Sequence, residues 1–178
     1  MVKIKHKFEN HIIQKDTRIL IVGTFNPDSS ENEAEFFYGR SRNFLWQLLP
    51  ACFDEQSIKN TSVEEKLKFI QKYRIDFVDL IREVHVPSDE SNNYFDSFID
   101  RRITKWNEAV DLIVKHPSIQ KVAITRKTFS GIPNMKTKIL DVKDYCIKNR
   151  IAFRMLLTPA RFYSEKKQKE WKEFIKTH

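Results

Sequence analysis

The sequence predicts an α/β fold: a three-layer α/β/α arrangement with a short, mainly four-stranded parallel sheet covered by helices. Three observations predict it. The apolar run Ile19–Val22 has the length and β-branched content of a buried strand, and Phe77–Ile81, Lys121–Thr125 and Ala152–Leu157 read as three more strands. Segments with apolar residues at helical spacing separate them. Strands alternating with helices imply a parallel sheet with right-handed crossovers. At 178 residues the chain fits a single domain spanning 1–178.

Each element has a local justification. Residues Met1–Asp16 mix apolar and basic side chains, and His6 and His11 lack a third ligand at helical spacing, so both are expected to be packed or solvated. The run Ile19–Val22 breaks at Gly23-Thr24-Phe25-Asn26-Pro27-Asp28, a turn at the strand's carboxyl end, where open α/β sheets bind ligands. After the cluster Phe36-Phe37-Tyr38 and the polar stretch Gly39–Asn43, the positions Phe44, Leu45, Leu48 and Leu49 predict a helix. Ser62-Val63-Glu64-Glu65 is a capping box, opening a helix whose Val63, Leu67 and Ile70 share a face. The strand Phe77–Ile81 should feed a polar loop, Arg82–Ser91. Thr104–Lys115 reads as helix from Trp106, Val110 and Ile113, with Pro117 just beyond. Lys121–Thr125 runs into Arg126-Lys127-Thr128, and Met135, Ile139, Val142 and Cys146 mark a helix after Pro133. Ser164 should cap a last helix burying Trp171, Phe174 and Ile175.

Composition narrows the function. Thirty-two Lys and Arg against 24 Asp and Glu give a net charge of +8, which favours polyanionic partners through counterion release. A mean hydropathy of −0.54 and the lack of a long apolar run argue against a membrane protein, and the N-terminus has no signal-peptide core. A cytoplasmic monomer is expected. Two cysteines, Cys52 and Cys146, cannot make a four-thiolate zinc or iron–sulfur site and are expected to be buried thiols.

The stretch Ile19–Pro50 collects uncharged amides, stackable rings and two arginines beside a strand end, a combination suited to a flat polar ring next to a polyanion. Within it, Tyr38-Gly39-Arg40-Ser41-Arg42-Asn43-Phe44-Leu45-Trp46 resembles the Tyr-Ala-His-Pro-Arg-Asn-any-Phe-Trp motif of the uracil-DNA glycosylase superfamily. The likeness is nearest to the hypoxanthine-DNA and mismatch-specific uracil-DNA glycosylase branches. Tyr38, Arg42, Asn43 and Trp46 match in register, whereas Arg40-Ser41 replaces His-Pro. Asn26-Pro27 resembles the Gly-any-Asn-Pro motif, with Gly23 one residue early, and Leu157-Thr158-Pro159-Ala160-Arg161 resembles the Ser-Pro-Ala loop that wedges into DNA. Thr125-Arg126-Lys127 stands where the family often has Phe-Asn-Gly-Lys, so only Lys127 survives there.

The resemblance implies a DNA glycosylase that needs no cofactor, metal or iron–sulfur cluster. It would flip a deaminated base out of DNA and hydrolyse its bond to the sugar. Asn43 or Asn26 would hold the attacking water, with Asp28 as a carboxylate in reserve. Phe25, Tyr38, Phe37 and His85 would form the base pocket. Arg40, Arg42, Lys127, Thr158, Pro159 and Arg161 would hold DNA. The residues also admit plainer roles: Asn43 as a helix cap, Phe36 and Phe37 as core, and His85 as a loop residue bonded to backbone. Two other functions compete. One is a nucleic-acid-binding module on the same scaffold without catalysis. The other is a nucleotidylyltransferase, because Gly23-Thr24-Phe25-Asn26-Pro27 resembles that family's Gly-Thr-Phe-Asp-Pro; here, however, the acidic stretch Asp28–Asn32 follows in place of a histidine pair.

Overall fold

The structure, a computed structural model, describes residues 1–177. Its centre is a four-stranded parallel sheet in the order β3-β2-β6-β7, built from β2 (Ile19–Gly23), β3 (Ile75–Asp79), β6 (Lys121–Ile124) and β7 (Ala152–Met155). Alternate side chains of the central strand face opposite ways, as pleating requires. Leu20 and Val22 join Val122 and Ile124 in a core with Met135, Ile139 and Val142 of α5 (Pro133–Lys148) and Ile113 of α4 (Ala109–Lys115). Ile19 and Ile21 join Ile75, Phe77 and Ala123 in a second core. There the cover is α1 (Leu45–Ala51), α2 (Val63–Tyr73) and α6 (Glu165–Lys176). The three layers are those expected from the sequence.

A second sheet was not expected. β1 (Val2–Lys5), β4 (Ile81–Val86) and β5 (Ile103–Trp106) form an antiparallel sheet in the order β1-β4-β5. The expected strand Phe77–Ile81 is therefore two: β3 ends at Asp79, and the chain turns at Leu80 into the other sheet. The polar loop expected over Arg82–Ser91 is largely β4. Trp106 ends β5, so the expected helix over Thr104–Lys115 starts only at Ala109. A short α3 (Asp96–Ile99) lies between β4 and β5.

Capping residues behave as the sequence indicates. Ser62 Oγ accepts from the Glu65 amide and Ser164 Oγ from the Lys167 amide, satisfying first-turn donors of α2 and α6. The buried face of α2 is Lys66, Phe69 and Ile70, while Leu67 points to solvent. Trp46, 1% exposed, donates through Nε1 to the Phe37 carbonyl at 2.8 Å, so the aromatic segment and α1 pack as one unit.

Candidate active site

The chain leaves β2 for β3 on one side and later returns to β6 on the other, creating a switch point at the carboxyl edge of the sheet. A cavity of about 470 Å³ opens there. Its size is that of a small-molecule site, which typically falls between about 300 and 1,000 Å³.

The floor is built from strand ends. Gly23 and Asp79 are register partners across β2 and β3. A Cβ on Gly23 would stand 2.1 Å from Asp79 Oδ1 and 2.8 Å from the Tyr38 hydroxyl, so only glycine lets these groups crowd the backbone. Asp79 Oδ2 lies 2.8 Å from His6 Nε2, and both residues are buried. His6 Nδ1 accepts from the Phe8 amide at 3.0 Å, so the ring proton sits on Nε2 and is donated to the carboxylate. The Tyr38 hydroxyl lies 3.5 Å from Thr125 Oγ1. Burial, and then the charge of Asp79, push the Tyr38 phenol well above its ordinary value, so it stays protonated.

Both candidate asparagines line this cavity. Asn26 is held by its carbonyl, which accepts from the Lys7 amide at 2.8 Å, while Asp28 donates to the Lys5 carbonyl at 2.8 Å. The continuation of β1 thus pins the turn. Asn26 Oδ1 also accepts from Asn32 Nδ2. Asn43 Oδ1 accepts from the Leu45 amide at 3.0 Å at the start of α1. The N-cap position itself is Phe44, so Asn43, expected as the cap, stands one residue before it and closes a local turn while lining the cavity. Each amide oxygen keeps a second lone pair for water.

Two loops far apart in sequence are tied together at the rim. The Phe44 amide donates to the Pro159 carbonyl at 2.9 Å and the Arg161 amide to the Arg42 carbonyl at 2.7 Å, bridging Asn43 to Ala160. Helix α6 holds the second loop from behind. Its Lys167 Nζ donates to the carbonyls of Ala160 and Phe162, and Trp171 Nε1 donates to that of Leu157. Among the described residues, five that are not glycine have left-handed backbone. Asp54, Arg74 and Arg150 lie just beyond helix ends, where this conformation is common. The other two, Tyr38 (φ 57°) and Arg161 (φ 77°), line the cavity, where such conformations often accompany function.

The charges are partly compensated. Arg126 pairs with Asp96 at 2.5 Å and Lys127 with Glu170 at 2.8 Å. Among the described residues, no carboxylate pairs with Arg40 or Arg161, which are exposed at the rim. Thr158 and Pro159 complete that side, and Phe25 supplies an aromatic wall.

Four expected site residues lie elsewhere. Asp28 is exposed and does not line the cavity. Phe37 is 2% exposed and stacks on Phe77 in the core. Arg42 is exposed beside the rim, with only its backbone tied to the second loop. His85 sits in β4 opposite Lys3, 3.3 Å from Glu83, because the chain has left the parallel sheet by then. Asp79 occupies the strand end assigned to His85. Asp79, Asp96, Thr125 and Arg126 are cavity residues that the motif comparison did not assign a role. His6 and Asp79 are 73 positions apart, and no local pattern reveals their pairing.

No protein-family model and no curated protein matches the chain. The chain is similar to a solved structure, the solution NMR structure of a candidate uracil DNA glycosylase from Methanosarcina acetivorans. The two share one fold. The TM-score is 0.62 at 18% sequence identity, over 92% of this chain and 91% of that one.

Proposed function

We propose that the chain is a monofunctional DNA glycosylase acting on a deaminated or damaged base of the uracil or hypoxanthine type. The observation carrying this reading is that Asn26, Asn43, Phe25 and Tyr38 line one cavity whose rim bears Arg40 and Arg161. The fold shared with a candidate uracil DNA glycosylase supports it. A base flipped from the duplex would enter between Phe25 and Tyr38, with phosphates gripped at the rim. The bond from sugar C1′ to the base nitrogen breaks, and its electron pair leaves with the base. Water bonds to C1′, and its proton neutralises the departing base. Asn43 or Asn26 orients that water through its free lone pair, and the neutral Tyr38 hydroxyl is a donor for a base oxygen.

The nucleotidylyltransferase reading loses support because the first helix after β2 begins only at Leu45, so no helix N-terminus follows the Gly23–Pro27 turn to receive a triphosphate. A non-catalytic DNA-binding module is favoured by one observation, the hydrogen bond already received by each asparagine oxygen. The experiment is incubation with labelled oligonucleotides containing uracil, hypoxanthine, xanthine or ethenocytosine, followed by alkali. Strand cleavage that falls on the order of a hundredfold in Asn43→Ala is the expected result. Binding to all four without cleavage assigns the chain to the non-catalytic module. Loss in Asn26→Ala alone moves the water-holding role to Asn26.

A further inference from the structure

The two lips of the cavity differ in charge. On one side stand Arg40, Arg42 and Arg161, exposed and, among the described residues, within ion-pair distance of no carboxylate. The other side is made by two segments, Asp28–Glu35 and Pro87–Asp96. Asn32 holds the first against the site, donating through Nδ2 to the Asn26 side chain and to the Pro27 carbonyl. Asn92 Nδ2 donates to Glu31 Oε1 at 2.6 Å, which joins the second segment to the first. Arg126 donates to Asp96 at 2.5 Å, which fixes the second segment to the cavity wall. Asp28, Glu31, Glu33, Glu35 and Asp89 on these segments are exposed, and among the described residues none lies within ion-pair distance of a cation.

Phe95 stands on this acidic lip, one residue before Asp96 and 78% exposed. Among the described residues no ring or cation packs on it, whereas Phe162 beyond Arg161 is covered by Lys167 Nζ at 4.0 Å. Its backbone is fixed: the amide donates to Asn93 Oδ1 at 3.3 Å, and the carbonyl accepts from the Phe98 and Ile99 amides at 2.9 Å. Its Cα lies about 3.8 Å from that of Asp96, which sets the residue beside the cavity. A bare ring on a rigid turn is a stacking platform for any base, since every base has a π-face.

We infer that the cleft takes its nucleic acid as a single strand, phosphates along Arg40, Arg42 and Arg161, with a base next to the extruded one stacked on Phe95. The inference rests on the glycosylase reading for the presence of a strand in the cleft, and adds its strandedness and a second aromatic contact. In one strand the backbone and the bases can face opposite ways, which matches a basic lip across from an acidic, aromatic one. A base flipped from a duplex reaches the same cavity, but pairing hides its neighbours from Phe95. The duplex also carries one charge per about 1.7 Å of axis and brings its second row of phosphates towards the carboxylates. A single strand presents its bases with no unpairing cost.

The test is binding. Single-stranded and duplex oligonucleotides of one sequence, each with a central tetrahydrofuran abasic site, are titrated by fluorescence anisotropy. The proteins are wild type, Phe95→Ala and a combined Glu31→Gln, Glu33→Gln and Asp89→Asn variant; all four side chains are exposed, so urea midpoints should match. Wild type should prefer the single strand by about tenfold or more. Phe95→Ala should lose about fivefold or more of that affinity, the effect of one stacked base, and change duplex affinity by about twofold or less. The combined variant should gain duplex affinity at low salt, and the gain should vanish in 1 M salt, where the screening length is about 3 Å. A photoreactive 5-iodocytosine beside the abasic site should crosslink to Phe95. Equal or tighter binding of duplex, undiminished single-strand binding in Phe95→Ala, or crosslinks that avoid Phe95 would each overturn the inference. Base release from the oligonucleotide panel with no preference for single strands removes this inference and leaves the glycosylase. Single-strand preference through Phe95 without base release removes the glycosylase and leaves the strand contact.

Discussion

Replacing Gly23 by alanine tests how tightly the cavity floor is assembled. The backbone there does not adopt the left-handed conformation, so alanine brings no conformational penalty and would by itself gain about 0.4–1 kcal/mol through a less flexible unfolded chain. The added Cβ would stand 2.1 Å from Asp79 Oδ1 and 2.8 Å from the Tyr38 hydroxyl. Neither neighbour moves freely, since His6 holds Asp79 and Tyr38 packs against Phe77. Overpacking of this kind costs about 1–3 kcal/mol. Losing a hydrogen bond to a charged group costs about 1.5–3 kcal/mol. Partial relaxation makes the net loss about 2–4 kcal/mol, which for a chain of this size lowers Tm by roughly 5–15 °C. Urea unfolding followed by tryptophan fluorescence measures it, and the same substitution in an Asp79→Ala background should lose at least half its effect. An unchanged midpoint, or an equal penalty in both backgrounds, would refute the packing described here.

Three further outcomes are expected. Burial pushes the Cys52 thiol up to about 12 and that of Cys146 to about 11, so at pH 8 a thiol reagent should label neither in the native protein and both in guanidinium; rapid native labelling would contradict this. Hydrogen bonds from Lys172 and Lys176 hold the Asp54 carboxyl down at about 2, below its ordinary 3.8. Its contribution to stability is therefore present above pH 4 and fades as pH falls through 2, so the deficit of Asp54→Asn in urea midpoint at pH 7 should close near pH 2; a constant deficit would exclude the mechanism. Ser62→Ala should cost about 1 kcal/mol by removing the cap of α2, and Ser62→Asp should restore it, both read by urea unfolding.

What was legible in the sequence follows from how local each signal is. Ile19–Val22 and the caps Ser62 and Ser164 announce themselves within a few residues, and all three are observed. Arg82, Glu83 and His85 make this stretch look like a loop, yet β4 is the central strand of the second sheet: only Arg82 is exposed, and Glu83 is buried among Lys3, Lys105 and Thr104 of the flanking strands. Trp106, Val110 and Ile113 share a spacing that fits a helix, yet β5 takes Trp106 by pairing it with Ile81 across 25 positions. At the site, Asn26, Asn43 and the Thr158–Arg161 loop could be found because each sits in a short motif. Asp79 fits the Asp-any-aliphatic strand of the resembled family, but its pairing with His6 could not be found, because tertiary packing alone joins them, and the turn at Leu80 hides where the parallel sheet ends, which puts His85 at that strand end when only the sequence is read.

The tie between Phe44 and Pro159 has a bearing on synthesis. One wall of the cleft is encoded early and the other late, and the late wall is braced by a helix that comes later still. A chain emerging from the ribosome can pair β2 with β3 long before it owns a closed pocket. The nascent protein therefore has an incomplete cleft until that late loop is made, and the site takes shape as α6 docks behind it.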